Sequence, residues 1–219
     1  MEIALNTARR RLLKWGGAAA ATVAVSGAWL PNFGISAALA ADLGEGDVGV
    51  LNYAYALEQL EAAFYTQVIA TPFSSMQQND QVILTSIRDH EIAHRDFLKK
   101  ALGRNAIGDL EVDFSAVDFG SRRSVLGTAD VFENLGVAAY NGAGQLIENV
   151  DYLAAAGSIV SIEARHAAAI ADLLKPYSAD SVGRGHVDAK GLDGALLPSQ
   201  VLPQAAPFIK TPVTANSLA

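Results

Sequence analysis

The sequence predicts an all-α protein: a four-helix bundle made of two antiparallel hairpins joined by a long crossover, with a Pro/Gly-rich C-terminal extension. Three observations carry this prediction. Four long segments repeat apolar residues at helical spacing, with almost no strand-like alternation. Ionisable residues break the apolar seam of each segment near its middle. The interruptions in the second half of the chain then repeat those of the first in the same order.

The first segment runs from about Val48 to Ala70 and ends before Thr71-Pro72. The second is expected to start near Ser74-Ser75, which suit N-caps, and to stop at Gly103 after Lys99-Lys100, a favourable basic C-terminus. Residues Arg104 to Gly120 carry Gly108 and Gly120 and read as a connection. The third helix should begin between Ser121 and Thr128 and run to about Ile147. The fourth should begin at Val150 or Gly157 and reach Leu174, where Lys175-Pro176 stops it. Short loops within each pair make hairpins, and the long link between the second and third helices suits a one-crossover topology. Beyond residue 176 the chain is rich in Gly and Pro, with a short helix expected around Ser199 to Ala206. Leu196-Leu197-Pro198 and Val201 to Ile209 are too apolar for a solvated linker, so residues 177–219 should lie against the bundle.

Ahead of the helices, Arg9-Arg10-Arg11-Leu12-Leu13-Lys14 precedes an apolar run from Gly16 to Leu30, and Ala38-Leu39-Ala40 then meets Ala41-Asp42. A basic start, an apolar middle and a small-x-small cut site describe a signal peptide over residues 1–40. The paired arginines with Leu-Leu-Lys resemble the twin-arginine signal, which exports folded proteins, so the expected location is periplasmic or extracellular. An uncleaved anchor helix is the alternative, but the run is short, rich in Ala and Gly, and interrupted by Pro31. After cleavage, no membrane association is expected. The remaining chain suffices for one sizeable core. It has no cysteine, which removes disulfides and thiolate metal sites. A net charge of −7 and a pI near 5.0 exclude a nucleic-acid partner, because nothing supplies a basic face for phosphates.

The seam residues carry the chemistry. Steps of three and four connect Ile83, Ile87, Glu91, His94, Leu98 and Leu102 in the second helix, and Ile159, Glu163, His166, Ile170 and Leu173 in the fourth. Sevens connect Leu51, Glu58 and Tyr65 in the first helix, with Tyr55 and Ile69 beside them, and Leu126, Glu133, Tyr140 and Ile147 in the third. Glu58-x6-Tyr65 therefore recurs as Glu133-x6-Tyr140, and Glu91-x-x-His94 recurs as Glu163-x-x-His166. Spacing of i, i+3 puts each Glu/His pair on one helix face. A lone Glu-x-x-His is a weak signal; two copies in register with two further seam glutamates are a strong one. Four carboxylates buried together would repel or protonate, whereas two divalent cations cancel their charge and two neutral imidazoles complete the shells. Carboxylate and imidazole suit iron, manganese or zinc by ligand type, and open positions suit redox chemistry.

These motifs resemble the ferritin-like superfamily, and within it the exported ferritin-like domain proteins that include plant desiccation-related proteins. The resemblance spans Val48 to Leu174 and is carried best by Leu57-Glu58-Gln59-Leu60-Glu61-Ala62-Ala63-Phe64-Tyr65 and Glu163-Ala164-Arg165-His166. It implies a ferritin-like bundle over residues 41–176 and a centre of two divalent ions, iron or manganese. By matching motif positions, Glu58, Glu91, His94, Glu133, Glu163 and His166 would be the ligands. The implied chemistry is reaction with O2 or peroxide, ferroxidase-like or catalase-like, with O2, peroxide or metal ions as the partners. The other reading is a stress- or desiccation-related structural protein whose site is degenerate or purely structural. A homo-oligomer is left open.

The sequence departs from the family pattern in several places. Relatives with well-defined oxygen chemistry often carry an acid just before Glu-x-x-His, where this chain has His90 and Ile162. Glu61 has no counterpart in the third helix, where Gly136 stands at the matching place. Glu61 is then an additional ligand, an acid that supports the ligands, or a surface acid. Gly136 opens a path to the metals or marks a close helix crossing. Tyr65 and Tyr140 either hydrogen-bond carboxylates or are ordinary core tyrosines. Asp89 and His90 are expected to face solvent or a neighbouring helix, and His186 to be solvated.

Overall fold

The structure, a computed structural model, describes residues 40–218. The signal segment expected over residues 1–40 lies, but for Ala40, outside the described residues. Four long helices dominate: α1 (Gly46–Ala70), α2 (Gln78–Leu102), α3 (Arg122–Ala143) and α4 (Val150–Leu174). A short fifth helix, α5 (Pro198–Ala205), follows in the extension. None of the described helices is long and apolar enough to cross a membrane. The architecture is all-α, as the periodicity predicts.

The helix ends follow local chemistry. The start of α2 falls later than the Ser74-Ser75 caps suggest. Those serines sit in a turn closed by the Met76 amide on the Phe73 carbonyl, and Gln77 with Asp80 forms a capping box instead. Gly103, at φ 55, ends α2 in the left-handed region that disfavours other residues. Ser121 caps α3 through the Ser124 amide, and Asn149 caps α4 through the amides of Asp151 and Tyr152. The third helix closes at Ala143, and a 3₁₀ turn at Gly144–Leu146 carries the chain on to Ile147.

Two hairpins, α1 with α2 and α3 with α4, pack so that α1 also meets α3 and α2 meets α4. The four seams thus surround one axis. α1 is buried on nearly all sides, whereas α4 buries only Ile159, Glu163, His166, Ile170 and Leu173, the five residues its spacing predicts. The crossover explains part of this difference, because it covers α1. Asn52, 2% exposed, donates to the carbonyls of Leu43 and Asn105 and accepts from the Ile107 amide. One turn-pair along, Gln59 donates to the Gly108 carbonyl and accepts from the Leu110 amide. A buried polar side chain is tolerated when it satisfies backbone that would otherwise be orphaned.

At one end, Asp80 of α2 accepts from Arg122 of α3, whose guanidinium also donates to the Leu173 carbonyl of α4. One arginine therefore links three helices. The apolar core beyond the charged seams is aromatic: Phe64 meets Phe132 edge to face at 5.1 Å, and Phe208 from the extension meets Phe132 at 4.8 Å. The extension also pairs in parallel with β1 (Ala41–Asp42) through β2 (Val213–Thr214) and bridges the crossover at Val112 and Ile209. It crosses α3 closely, with the Leu196 amide donating to the Ala138 carbonyl beside Gly142.

Candidate metal centre

Glu58, Glu91, Glu133 and Glu163 are each 0% exposed, and His166 is 4% exposed. They come one or two per helix: Glu58 from α1, Glu91 and His94 from α2, Glu133 from α3, Glu163 and His166 from α4. Helical spacing aims each pair inward, and the four-sided packing brings the pairs together. The structure gathers all six sequence-predicted ligands into two overlapping groups. One is Glu58, Glu91, His94 and Glu163; the other is Glu91, Glu133, Glu163 and His166. Within each group one donor atom per residue lies within 4.8 Å of the others. Glu91 and Glu163 belong to both groups.

The donor atoms are close but unsatisfied. His94 Nδ1 lies 3.2 Å from Glu163 and 3.4 Å from both Glu58 and Glu91. His166 Nδ1 lies 2.7 Å from Glu91 and 3.3 Å from Glu133. Despite these distances, none of the contacts has hydrogen-bond alignment. Glu58 Oε2, Glu133 Oε2, both oxygens of Glu91 and of Glu163, and Nδ1 of His94 and His166 are all buried without a partner. Native interiors leave few such atoms. A cluster of eight, all oxygen or imidazole nitrogen, fits metal cations of the borderline-hard class.

The outward oxygens are accounted for. Tyr65 of α1 donates to Glu133 Oε1 of α3, and Tyr140 of α3 donates to Glu58 Oε1 of α1. The two tyrosines thus hold the carboxylates that belong to one group each, leaving one oxygen of each for the interior. Both phenols are pushed upward by burial and then by the carboxylate they serve, so they stay protonated donors.

Electrostatics in the cluster follow from burial and crowding. Burial, then Glu91 and Glu163, push Glu58 well above the carboxylate range. Burial, with Glu91 and Glu163 adding and His166 opposing, pushes Glu133 up to about 8. Glu163 is also raised, chiefly by burial and Glu91. For Glu91 burial works upward, but His166 and His94 outweigh it and draw the carboxyl down to about 2. Burial opposes charge on the histidines, yet the surrounding carboxylates win: His94 is pushed up to about 12 and His166 to about 10. Protons on the histidines and on the raised carboxyls therefore offset the crowded charge of the cluster.

Glu61, 4% exposed, is not a member of either group. It lies beside the cluster, not on the surface: a Cβ placed on Gly136 would sit 3.4 Å from Glu61 Oε1 and 3.0 Å from Glu163 Oε2. Gly136 thus makes room for two carboxylates, a role that neither reading of that glycine gave it. Burial, then Glu163 and Glu91, hold Glu61 well above the carboxylate range.

His90 is the residue whose part the spacing understated. Although exposed, it turns toward α4, and its Nδ1 lies 2.8 Å from His166 Nε2. The available signal was its place one residue before Glu91 and four before His94, at the edge of the seam. Asp89 pairs with Arg88 at the surface, and His186 is exposed.

A small apolar cavity of about 20 Å³ lies between the helices, lined by Leu57, Leu98, Ile159 and Tyr140 among others, with half-exposed Phe97 on its outer side. Leu57 adjoins Glu58, and Leu98 and Ile159 each stand one helical turn from a cluster residue.

No curated protein matches the chain. The ferritin-like domain family matches residues 46–176, from the first residue of α1 to just beyond the end of α4, and so takes in every residue of the Glu/His cluster. A helical bundle with this buried carboxylate and histidine cluster, matched by that family over more than half its length, belongs to the ferritin-like domain family.

Proposed function

We propose that the chain holds two divalent ions, iron or manganese, between the four helices and uses them in redox chemistry with O2 or peroxide, ferroxidase-like or catalase-like. The observation that carries this reading is the set of eight buried, converging and unpartnered donor atoms, arranged so that Glu91 and Glu163 serve both positions. The four carboxylates would balance two divalent charges, and the neutral rings of His94 and His166 would complete one position each. When bound, such a pair of ions supplies electron transfer to or from small oxygen species.

The chain's own contribution is placement and exclusion. Tyr65 and Tyr140 orient Glu133 and Glu58, and complete burial of the glutamates keeps bulk water from the carboxylates. Glu61 lies buried beside Glu163 at the edge of the cluster, where burial favours its protonated form. The apolar cavity near Tyr140 is large enough for a diatomic molecule and unattractive to water, which favours a small apolar co-substrate such as O2. With the twin-arginine-type leader removed, the protein would act in the periplasm or outside the cell.

A second reading is favoured by one observation: histidine and isoleucine occupy the places before the two Glu-x-x-His motifs. On that reading the bundle is a stress-related structural protein with a degenerate or stabilising site. Elemental analysis of protein isolated from its native host separates the two. Near two iron or manganese atoms per chain, with peroxide consumption or ferrous oxidation lost on chelation, supports the redox reading. Metal without activity supports the second, and folded protein without metal overturns the first.

A further inference from the structure

The two halves of the centre match in their ligands but differ in what stands behind the histidines. His166 Nδ1 faces Glu91 and Glu133, so the tautomer that would ligate a metal there carries its proton on Nε2. That Nε2 meets His90 Nδ1 at 2.8 Å. The two rings are parallel within 9°, with centroids 5.1 Å apart. This separation is too wide for face-to-face stacking and is what an edge-to-edge, in-plane N–H···N bond produces.

On the other side, His94 also turns Nδ1 to the cluster, 3.2 Å from Glu163. The residue matching His90 there is Ile162, whose side chain has no acceptor. His94 also keeps 12% of its side chain exposed, against 5% for His166. One ligand histidine is therefore held in direction by a neighbour outside the cluster, and the other has no such side-chain partner among the described residues. The two lone carboxylates do not offset this difference, because each is held by one tyrosine.

We propose that His90 is a positioning residue that makes the two metal positions inequivalent, so that the position of Glu133 and His166 fills first. This rests on the two-metal reading. Outer hydrogen bonds to a ligating histidine typically change metal affinity ten- to a hundred-fold, enough to separate two otherwise matched steps. His90 is exposed, so its replacement leaves the core untouched.

The test is a cobalt(II) titration of the metal-free full chain, followed by visible absorption, with anomalous diffraction at one equivalent to locate the first ion. The wild-type chain should bind in two resolved steps, with the first cobalt at Glu133 and His166. His90→Ala should weaken that step about ten-fold or more and leave the Glu58/His94 step unchanged. His90→Asn should restore most of the loss, because asparagine Oδ1 hangs from Cγ where histidine Nδ1 does. Two equal steps, a first cobalt at Glu58 and His94, or a His90→Ala effect on both steps or neither would overturn the proposal while leaving the two-metal reading intact. A wild-type chain that binds no cobalt would overturn that reading and this proposal together.

Discussion

The hydroxyl of Tyr65 on α1 donates to Glu133 on α3, and its repeat partner Tyr140 on α3 donates back to Glu58 on α1. Each helix thus carries a candidate ligand and, two turns later, the group that orients the ligand of the other. The exchange ties the two hairpins together at the centre of the bundle and gives the Glu-x6-Tyr repeat a physical purpose. Sequence spacing alone could not tell a tyrosine serving its own helix from one serving the opposite hairpin.

Tyr65→Phe and Tyr140→Phe should therefore behave alike. Each removes the donor from a buried carboxylate oxygen, at a cost of about 1–3 kcal/mol in the metal-free protein. Each should also weaken one metal step about ten-fold or more while leaving the helical fold in place. Thermal unfolding and metal titration of the two variants check this; unequal losses would mean that the exchange is structural on one side only.

The shared carboxylates should be more costly to lose than the unshared ones. Glu91→Ala or Glu163→Ala removes a donor from both positions and should abolish uptake of the pair. Glu58→Ala or Glu133→Ala should leave close to one ion per chain. Elemental analysis after reconstitution decides, and two ions retained in Glu163→Ala would sink the assignment.

Metal binding and stability should respond to pH in opposite senses. In the metal-free protein Glu133 is raised to about 8, His166 to about 10 and His94 to about 12. The folded state then holds more protons than the unfolded one across neutral pH. Stability from these groups is fully present below their unfolded values and falls as pH rises toward the folded ones. Glu91, lowered to about 2, has the opposite sign, but its contribution is lost only on acidification below the ordinary carboxylate range. Between pH 5 and 9 the melting temperature of chelated protein should drop. Metal affinity should climb, because binding must expel those protons. Melting curves with and without metal, together with proton release measured during titration, test both signs.

Two glycines predict distinct failures. At Gly136 an added methyl would meet only carboxylate tips, at 3.0 and 3.4 Å, so Gly136→Ala should fold and shift the metal site by displacing Glu163 or Glu61. At Gly142 the methyl would lie 1.8 Å from the Leu196 carbonyl oxygen, which is backbone and cannot swing aside. Gly142→Ala should cost about 1–3 kcal/mol or more and expose the extension to limited proteolysis, with metal uptake by the bundle preserved. Proteolysis and metal content measured on both variants separate the two effects.

Periodicity made the four helices legible, because an amphipathic stripe is a local property of the chain: the five buried residues of α4 are the five that spacing picks out. The capping box of α2 was less legible, since Ser74-Ser75 offered equally good cap chemistry and only the seating of Phe73 in the core decides against them. The doubled Glu-x-x-His and Glu-x6-Tyr repeats named the cluster residues for the same local reason, each pair sharing a face of one helix. Other features depended on which helices become neighbours, and no local pattern encodes that. Tertiary packing alone decided that Glu91 and Glu163 belong to both groups, that Glu61 is buried against Gly136, and that each tyrosine serves the opposite hairpin. It also turned His90, which the sequence left between solvent and a neighbouring helix, onto His166, because α2 lies against α4.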